Sequence, residues 1–211
     1  MISASSDPYQ PLEKVYRYTR AALNILGKAG WRILITTKSD LVKEDAELLE
    51  SHSTAVSMTV TTMDKKLAKK LEPGAPAPQK RMEALEDLNV PKILRLDPII
   101  PGVNDSEENI EEVLEAASAV GVKHVVFSTY KARPDNFARM RNAFPELANL
   151  WGAIYTERRE AYIYAREHIR REILRRAASC AERMGMSWAF CREGFFFKAA
   201  SCDGSHLIKS P

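Results

Sequence analysis

The sequence predicts an α/β fold built on a parallel sheet. Apolar, β-branched segments alternate with amphipathic helical segments along the first 130 residues. The helical segments are long enough to act as crossovers, and repeated strand, helix, strand passages place consecutive strands parallel. Beyond residue 134 the pattern becomes mainly helical. We therefore predict two regions, residues 1–134 with the strands and residues 135–211 as a helical, arginine-rich extension.

Composition is that of an ordinary folded protein. The chain has 211 residues, of which 45% are hydrophobic and 28% charged, enough for one sizeable core and a small appendage. No apolar run approaches the roughly 18 residues that suggest a membrane span. The first residues lack a basic stretch followed by an apolar one, which a secretory signal requires. We expect a cytoplasmic protein with no membrane partner.

The predicted elements follow from apolar spacing and from breakers. Strands are predicted at the start of the chain before Pro8 and at residues 32–37, 55–62, 93–97 and 125–128. Helices are predicted at residues 12–26, 44–51, 64–71, 78–88 and 106–120, and a long one at residues 154–184. The tail from residue 187 is predicted as a strand or small Cys-containing hairpin followed by a tight turn.

Lys38 ends the apolar run at residues 32–37, and a buried strand should not finish on an unpaired charge. Burying an unpaired ammonium costs several kcal/mol, so its side chain must meet water, a carboxylate or a bound anion. Ligands bind beyond the carboxyl ends of parallel strands, where Lys38 and, two strands later, Asp97 are predicted to lie. The alternative is a surface lysine at a strand-to-loop boundary.

Four segments, read in order, resemble a known family. They are SDPYQPLE at residues 6–13, TKSDLV at 37–42, LEPGAP at 71–76 together with Arg81, and DPIIPGVND at 97–105. In this order and spacing they resemble radical S-adenosylmethionine proteins related to spore photoproduct lyase. The likeness covers about residues 1–130 and is greatest to members of uncertain substrate that are labelled DNA repair photolyases by similarity.

The resemblance implies a fold and a set of cofactor-binding residues. Members hold S-adenosylmethionine across the carboxyl edge of a partial TIM barrel of parallel strands. Carried over by motif, the cofactor-binding residues are Ser6, Lys38 and Thr59, with Asp97 near the adenosine. The residue types suit the ligand, because an ammonium can pair with the methionine carboxylate and short polar side chains can reach ribose hydroxyls.

The sequence departs from the family in two places. The C-x3-C-x2-C loop that holds the family's 4Fe-4S cluster is absent, so the cluster is expected only in a longer, full-length protein and this chain alone is expected to be inactive. A natural truncation and an incomplete gene model both explain this. In spore photoproduct lyase a hydrogen-donating cysteine occupies the position of Ala4, so repair of the spore lesion by that route is not expected.

Cys191, Cys202 and His206 form a candidate metal site in the tail. Thiolates and imidazole are soft and borderline ligands, and residues 202–206 spell the CDGSH signature of an iron-sulfur domain family. Glu193 stands where that family has its second cysteine. The alternative is a reduced segment of packed thiols.

Three functions remain open from the sequence. The first is the S-adenosylmethionine-binding portion of a radical, lyase-like enzyme that cleaves the cofactor reductively to a 5'-deoxyadenosyl radical and acts on an unknown substrate. The second is an iron-sulfur or metal-binding electron-transfer module formed by the tail. The third is a cluster-independent TIM-barrel lyase or isomerase, in which a strand-end lysine would suit Schiff-base chemistry.

The partners follow from these functions and from charge. A radical enzyme needs a reducing partner such as ferredoxin or flavodoxin. Nucleic acid is a further candidate, because residues 153–185 hold eight arginines against five glutamates. A helix with a basic face is also compatible with simple exposure to solvent.

Overall fold

A computed structural model describes residues 1–2 and 6–209 of the chain. Its strands are β1 (Ile33–Thr37), β2 (Thr54–Thr59), β3 (Lys92–Ile99), β4 (His124–Thr129), β5 (Lys131–Ala132), β6 (Tyr155–Arg159), β7 (Tyr162–Ala165) and β8 (Ser187–Phe190). Its α-helices are α1 (Glu13–Tyr16), α2 (Tyr18–Lys28), α3 (Ala46–Glu50), α4 (Lys65–Leu71), α5 (Pro78–Glu86), α6 (Glu107–Ala119), α7 (Pro134–Ala143), α8 (Ala148–Ile154) and α9 (Glu167–Arg183).

The main sheet has five parallel strands in the order β1-β2-β3-β4-β8. This confirms the predicted α/β class, and β1 and β2 pair in parallel as expected. The fifth strand, however, is β8 from the C-terminal region. The expected first strand is represented by Ile2, which forms a parallel bridge to Ile35. The position of Ala4 lies outside the described residues.

Helices cover the outer face of the sheet. In α6 the side chains of Ile110, Val113, Leu114 and Ala117 are buried, at the spacing that places them on one face of a helix. Ser106 caps this helix by accepting a hydrogen bond from the backbone N–H of Asn109. The two glutamates that follow the cap lie near the positive end of the helix dipole.

The predicted long helix at residues 154–184 is wrong in its first third. Residues 155–165 form the antiparallel hairpin β6-β7, which β5 extends to a three-stranded sheet. Tyr162, Ile163 and Tyr164 are aromatic or β-branched and favour a strand, and Glu160 turns the chain with a φ of 53°. The helix begins only at Glu167.

The C-terminal tail covers the inner face of the main sheet. Leu34, Ala55, Ile93 and Val126 project from this face and pack with Ile208 of the tail. The sequence predicts a turn here but not its location against the sheet. Among the described residues, no helix has the length and apolar composition needed to cross a membrane.

Candidate binding site at the carboxyl edge of the sheet

Lys38 meets a carboxylate at the end of β1. Its Nζ lies 2.8 Å from Oε1 of Glu72, and Oε2 of the same glutamate lies 2.7 Å from Nη1 of Arg81. Arg81 is 1% exposed, whereas the side chain of Lys38 keeps 41% of its surface. The charge of Lys38 is therefore compensated by an ion pair, and its side chain remains accessible to solvent.

Arg81 joins α5 to the end of β2. Its Nε donates to the carbonyl of Pro76 and its Nη1 donates to the carbonyl of Thr59, both at 2.9 Å. Burial raises the pKa of Glu72, but the charges of Lys38 and Arg81 outweigh that effect and hold the pKa below its ordinary value. The glutamate is thus ionised and fixes the proline-rich loop at residues 73–77 beside the sheet edge.

Asp7 caps the end of β1 from the other side. Its Oδ1 accepts a 2.6 Å hydrogen bond from the Thr37 hydroxyl, and its Oδ2 accepts a 2.7 Å bond from the backbone N–H of Lys38. The backbone N–H of Tyr9 also donates to this carboxylate at 2.9 Å. These bonds hold residues 7–9 against the strand end and fix the backbone from which the Lys38 side chain projects.

Two clefts open beside Lys38, and residues of the last turn of α4 line each of them. The first, of about 670 Å³, lies between residues 7–11 and the loop at residues 73–77. The second, of about 500 Å³, has a mainly apolar wall that includes Leu71, Ile100, Tyr130 and Met140. Lys38 lines both clefts. This arrangement offers a cation, a neighbouring carboxylate and an apolar wall to one ligand.

The other three predicted cofactor residues, Ser6, Thr59 and Asp97, line neither cleft. Thr59 and Asp97 occupy alternate positions that project from the inner face of the sheet, and Asp97 pairs with Arg95 at 2.6 Å. Ser6 is exposed to solvent. Of the four predicted residues, the structure therefore brings Lys38 to the clefts described above.

Glu72 and Arg81 belong to one of the motif segments, but the sequence alone predicts no role for either residue. One sequence signal for Glu72 is its position between the lysine-rich helix at residues 65–71 and the proline-rich loop at residues 73–77. Arg81 falls at a helix position flanked by buried Met82 and Leu85. A charged residue on a buried face requires a partner of opposite charge, and Glu72 meets that requirement.

The structure does not assemble Cys191, Cys202 and His206 as a metal site. Within residues 1–2 and 6–209, no three His, Cys, Asp or Glu side chains are grouped to hold an ion. His206 instead shares a 2.7 Å hydrogen bond with the Ser201 hydroxyl through Nδ1. Its ring packs edge-on against His124, with centroids 5.0 Å apart.

The CDGSH residues have structural roles in this fold. Asp203 Oδ1 accepts a 2.9 Å bond from the backbone N–H of Ser205, which closes a turn. Gly204 has a φ of 82°, and a Cβ there would lie 2.6 Å from Ile93 side-chain atoms. Burial and the neighbouring His206 lower the pKa of His124 to about 4, so this ring is neutral near pH 7.

Glu193 is a buried ion-pair partner. Its two carboxylate oxygens lie 2.8 Å from Lys131 Nζ and 2.8 Å from Arg170 Nη1, and it also accepts a bond from the backbone N–H of Thr129. Burial raises its pKa, and the two cations reverse that shift to a net lowering. The position that would carry a cluster cysteine therefore ties the tail to α9 and to the end of β4.

Comparisons with known proteins place the fold but not the family. No family model matches the sequence. Uncharacterized protein MJ0683 of Methanocaldococcus jannaschii is 36% identical over 115 residues, which are 53% of this chain and 44% of that protein. Uncharacterized protein Rv2578c of Mycobacterium tuberculosis is 25% identical over 173 residues, which are 77% of this chain and 50% of that protein. The chain thus spans about half the length of these relatives.

Solved structures share the architecture. A domain of pyruvate-formate lyase-activating enzyme from Bacteroides vulgatus superposes with a TM-score of 0.56 at 14% identity, covering 83% of this chain and 90% of that one. SuiB of Streptococcus suis bound to S-adenosylmethionine superposes with a TM-score of 0.52 at 13% identity, covering 82% of this chain and 36% of that one. The fold is common to all three.

Proposed function

We propose that this chain is the S-adenosylmethionine-binding portion of a radical, lyase-like enzyme of the spore photoproduct lyase group. The observation that carries the proposal is the position of Lys38, whose ammonium lies at the carboxyl edge of a parallel sheet and lines two clefts. The ordered motifs at residues 6–13, 37–42, 71–76 and 97–105 support it. So does the shared fold with SuiB, which has been solved with S-adenosylmethionine bound.

The side chains at this edge suit a zwitterionic ligand. Lys38 can pair with a carboxylate, and Glu72 can pair with an ammonium without leaving Arg81. The apolar wall formed by Ile100 and Tyr130 suits an aromatic ring. Ser6, Thr59 and Asp97 remain proposed contributors to ribose and adenosine binding.

The cofactor would supply a 5'-deoxyadenosyl radical when reductively cleaved. The residues described in this chain do not fit the 4Fe-4S cluster that such cleavage requires, since no group of three metal ligands is present among them. The role that falls to this chain is therefore binding: Lys38 and Glu72 orient the ligand, and Asp7 fixes the backbone beneath it. The substrate, for which nucleic acid is a candidate, and the reducing partner belong to the same proposal.

The activity test uses a longer form of the protein that includes a C-x3-C-x2-C segment. After anaerobic reconstitution and addition of dithionite and S-adenosylmethionine, we expect 5'-deoxyadenosine to form, and chromatography would quantify it. The control is the same protein with the three cluster cysteines replaced by alanine. Failure to form 5'-deoxyadenosine in a preparation that carries a 4Fe-4S cluster and binds the cofactor would reject the enzyme class.

A further inference from the structure

We propose that the first cleft is the substrate site and that it binds a phosphorylated small molecule. The inference deepens the proposed function and rests on it for the role of the second cleft as the cofactor site. The first cleft has a volume of about 670 Å³, within the range of small-molecule sites. Its charged lining consists of four lysines, Lys14, Lys38, Lys69 and Lys80, and two acidic residues, Asp7 and Asp40.

The four lysines approach the cleft from different elements. Lys14 belongs to α1, Lys38 follows β1, Lys69 lies on α4 and Lys80 lies on α5. The cations therefore converge on one volume instead of forming a row along a helix. This arrangement suits a compact group with several negative charges, because each ammonium can bond a different oxygen, and phosphate is such a group.

Three of these lysines have no counter-ion. Within the part of the chain that the structure describes, Lys14, Lys69 and Lys80 form no ion pair. Lys69 donates to a backbone carbonyl at 2.7 Å, which leaves two of its N–H groups for a ligand. The carboxylate of Asp7 already accepts bonds from a hydroxyl and two backbone N–H groups. The first cleft therefore offers free donors to an anion.

The cations of the second cleft are already engaged. Arg139 pairs with Asp135 at 3.4 Å, and Nζ of Lys70 lies 3.8 Å from the centroid of the Phe144 ring. This difference assigns the anion to the first cleft and leaves the second for the cofactor. Lys38 lines both clefts, so a substrate bound in the first would lie beside the cofactor.

The uncharged lining favours a free molecule over a nucleic-acid strand. Pro11, Leu41 and the proline-rich loop at residues 73–77 provide apolar surface for the organic part of a ligand. Single-stranded nucleic acids are bound by exposed aromatic rings on which bases stack. Among the described residues that line this cleft, the one aromatic side chain is Tyr9, which is 3% exposed.

The test is calorimetric titration of inorganic pyrophosphate, which represents the charged part of the ligand, into the chain without divalent cations. The salt concentration is about 0.15 M, at which charges more than about 8 Å apart are largely screened. The variant carries Lys14→Gln and Lys80→Gln, which removes one cation from α1 and one from α5. We expect pyrophosphate affinity to fall roughly tenfold or more, because two charge-assisted contacts are lost.

The matched control carries Lys65→Gln and Lys66→Gln, an equal change of net charge at exposed lysines that line neither cleft. Its pyrophosphate affinity should change less than about twofold. Both double variants should keep the melting temperature of the wild type, because all four side chains are exposed.

Three results would overturn the inference. These are no binding of pyrophosphate to the wild-type chain, equal weakening by the two double variants, and tighter binding of a single-stranded oligonucleotide that Lys14→Gln with Lys80→Gln abolishes. Titration of S-adenosylmethionine into the same variants separates this inference from the proposed function. Lys14 and Lys80 line the first cleft and not the second, so cofactor affinity should be unchanged where pyrophosphate binding is lost.

The two remaining combinations also decide between the claims. A parallel loss of S-adenosylmethionine and pyrophosphate affinity would place the cofactor in the first cleft and overturn the substrate assignment. Pyrophosphate binding in a protein that does not bind S-adenosylmethionine would support the anion site and reject the proposed function.

Discussion

At the scale of single residues, the site depends on three charges that compensate each other. Lys38 and Arg81 both contact Glu72, and Arg81 is buried. Removing the shared carboxylate would leave a guanidinium without a counter-ion in the interior. Breaking a buried pair in this way is costly because the remaining charge is desolvated and unpaired.

We therefore expect Glu72→Gln to destabilise the fold by about 2–4 kcal/mol. Glu83→Gln, at an exposed position of the same helix as Arg81, is the control and should change stability by less than about 0.5 kcal/mol. Urea denaturation at pH 7 gives both values. Equal stability of the two variants would show that Arg81 does not depend on Glu72.

His124 makes stability depend on pH. Its pKa falls from 6.5 to about 4 on folding, so the unfolded chain binds more protons between these values. Stability is therefore fully present above pH 6.5 and decreases as the pH falls toward 4. This group alone should contribute a loss of about 2 kcal/mol between pH 7 and pH 5.

The check is His124→Asn, whose amide can replace Nδ1 as the partner of the Ser187 hydroxyl, now 2.9 Å from the ring. Between pH 7 and pH 5 the asparagine variant should lose about 2 kcal/mol less stability than the wild type does. His168→Asn, on the outer helix, serves as the control. A pH profile of His124→Asn equal to that of the wild type would show that folding does not lower the pKa of this ring.

At the scale of elements, the CDGSH turn is a packing device on the inner face of the sheet. The sequence pattern predicts the turn, because Asp and Gly are typical turn residues. It does not predict that the turn lies on the inner face of the sheet, because Gly204 packs there beside Ile93, which is 111 positions away in the sequence. The prediction of a metal site rested on the residue types Cys and His, and residue types alone do not specify how the tail packs against the sheet.

Gly204→Ala tests this role. The φ of Gly204 is 82°, and a methyl group there would lie 2.6 Å from Ile93 side-chain atoms, so we expect a loss of about 1–3 kcal/mol in the free energy of unfolding. Gly74→Ala, where a Cβ would meet no atom within 4 Å, is the control. A stability for Gly204→Ala equal to that of the wild type would mean that the tail does not pack on the inner face.

At the scale of the whole molecule, the parallel order β1-β2-β3-β4 could be predicted because alternating strands and crossover helices permit few topologies. The pairing of β8 with β4 could not, since β5, α7, α8, β6, β7 and α9 lie between them in the sequence. The helix at residues 154–184 failed for a related reason. Residues 155–165 form a hairpin instead, and its second strand, β7, pairs with β5, which precedes α7 and α8 in the sequence.

In the candidate site, too, local patterns predict some features and long-range contacts determine the others. Sequence motifs placed Lys38 at a strand end, and the structure locates it between two clefts. The ion pair with Glu72 depends on how a proline loop folds back across 34 positions, which no local pattern specifies. Long-range electrostatic pairing is thus the part of the site that local sequence patterns do not predict.

Titration of S-adenosylmethionine into the reconstituted longer protein, as wild type and as Lys38→Ala, tests the central claim most directly. A charge-assisted hydrogen bond contributes about 1.5–3 kcal/mol, so the variant should bind roughly tenfold to a hundredfold more weakly with nearly unchanged melting temperature. Lys43→Ala, which removes a solvent-exposed ion pair with Asp87, is the control and should bind as the wild type does. Equal affinity of the wild type and Lys38→Ala would contradict the assignment of this edge as the cofactor site.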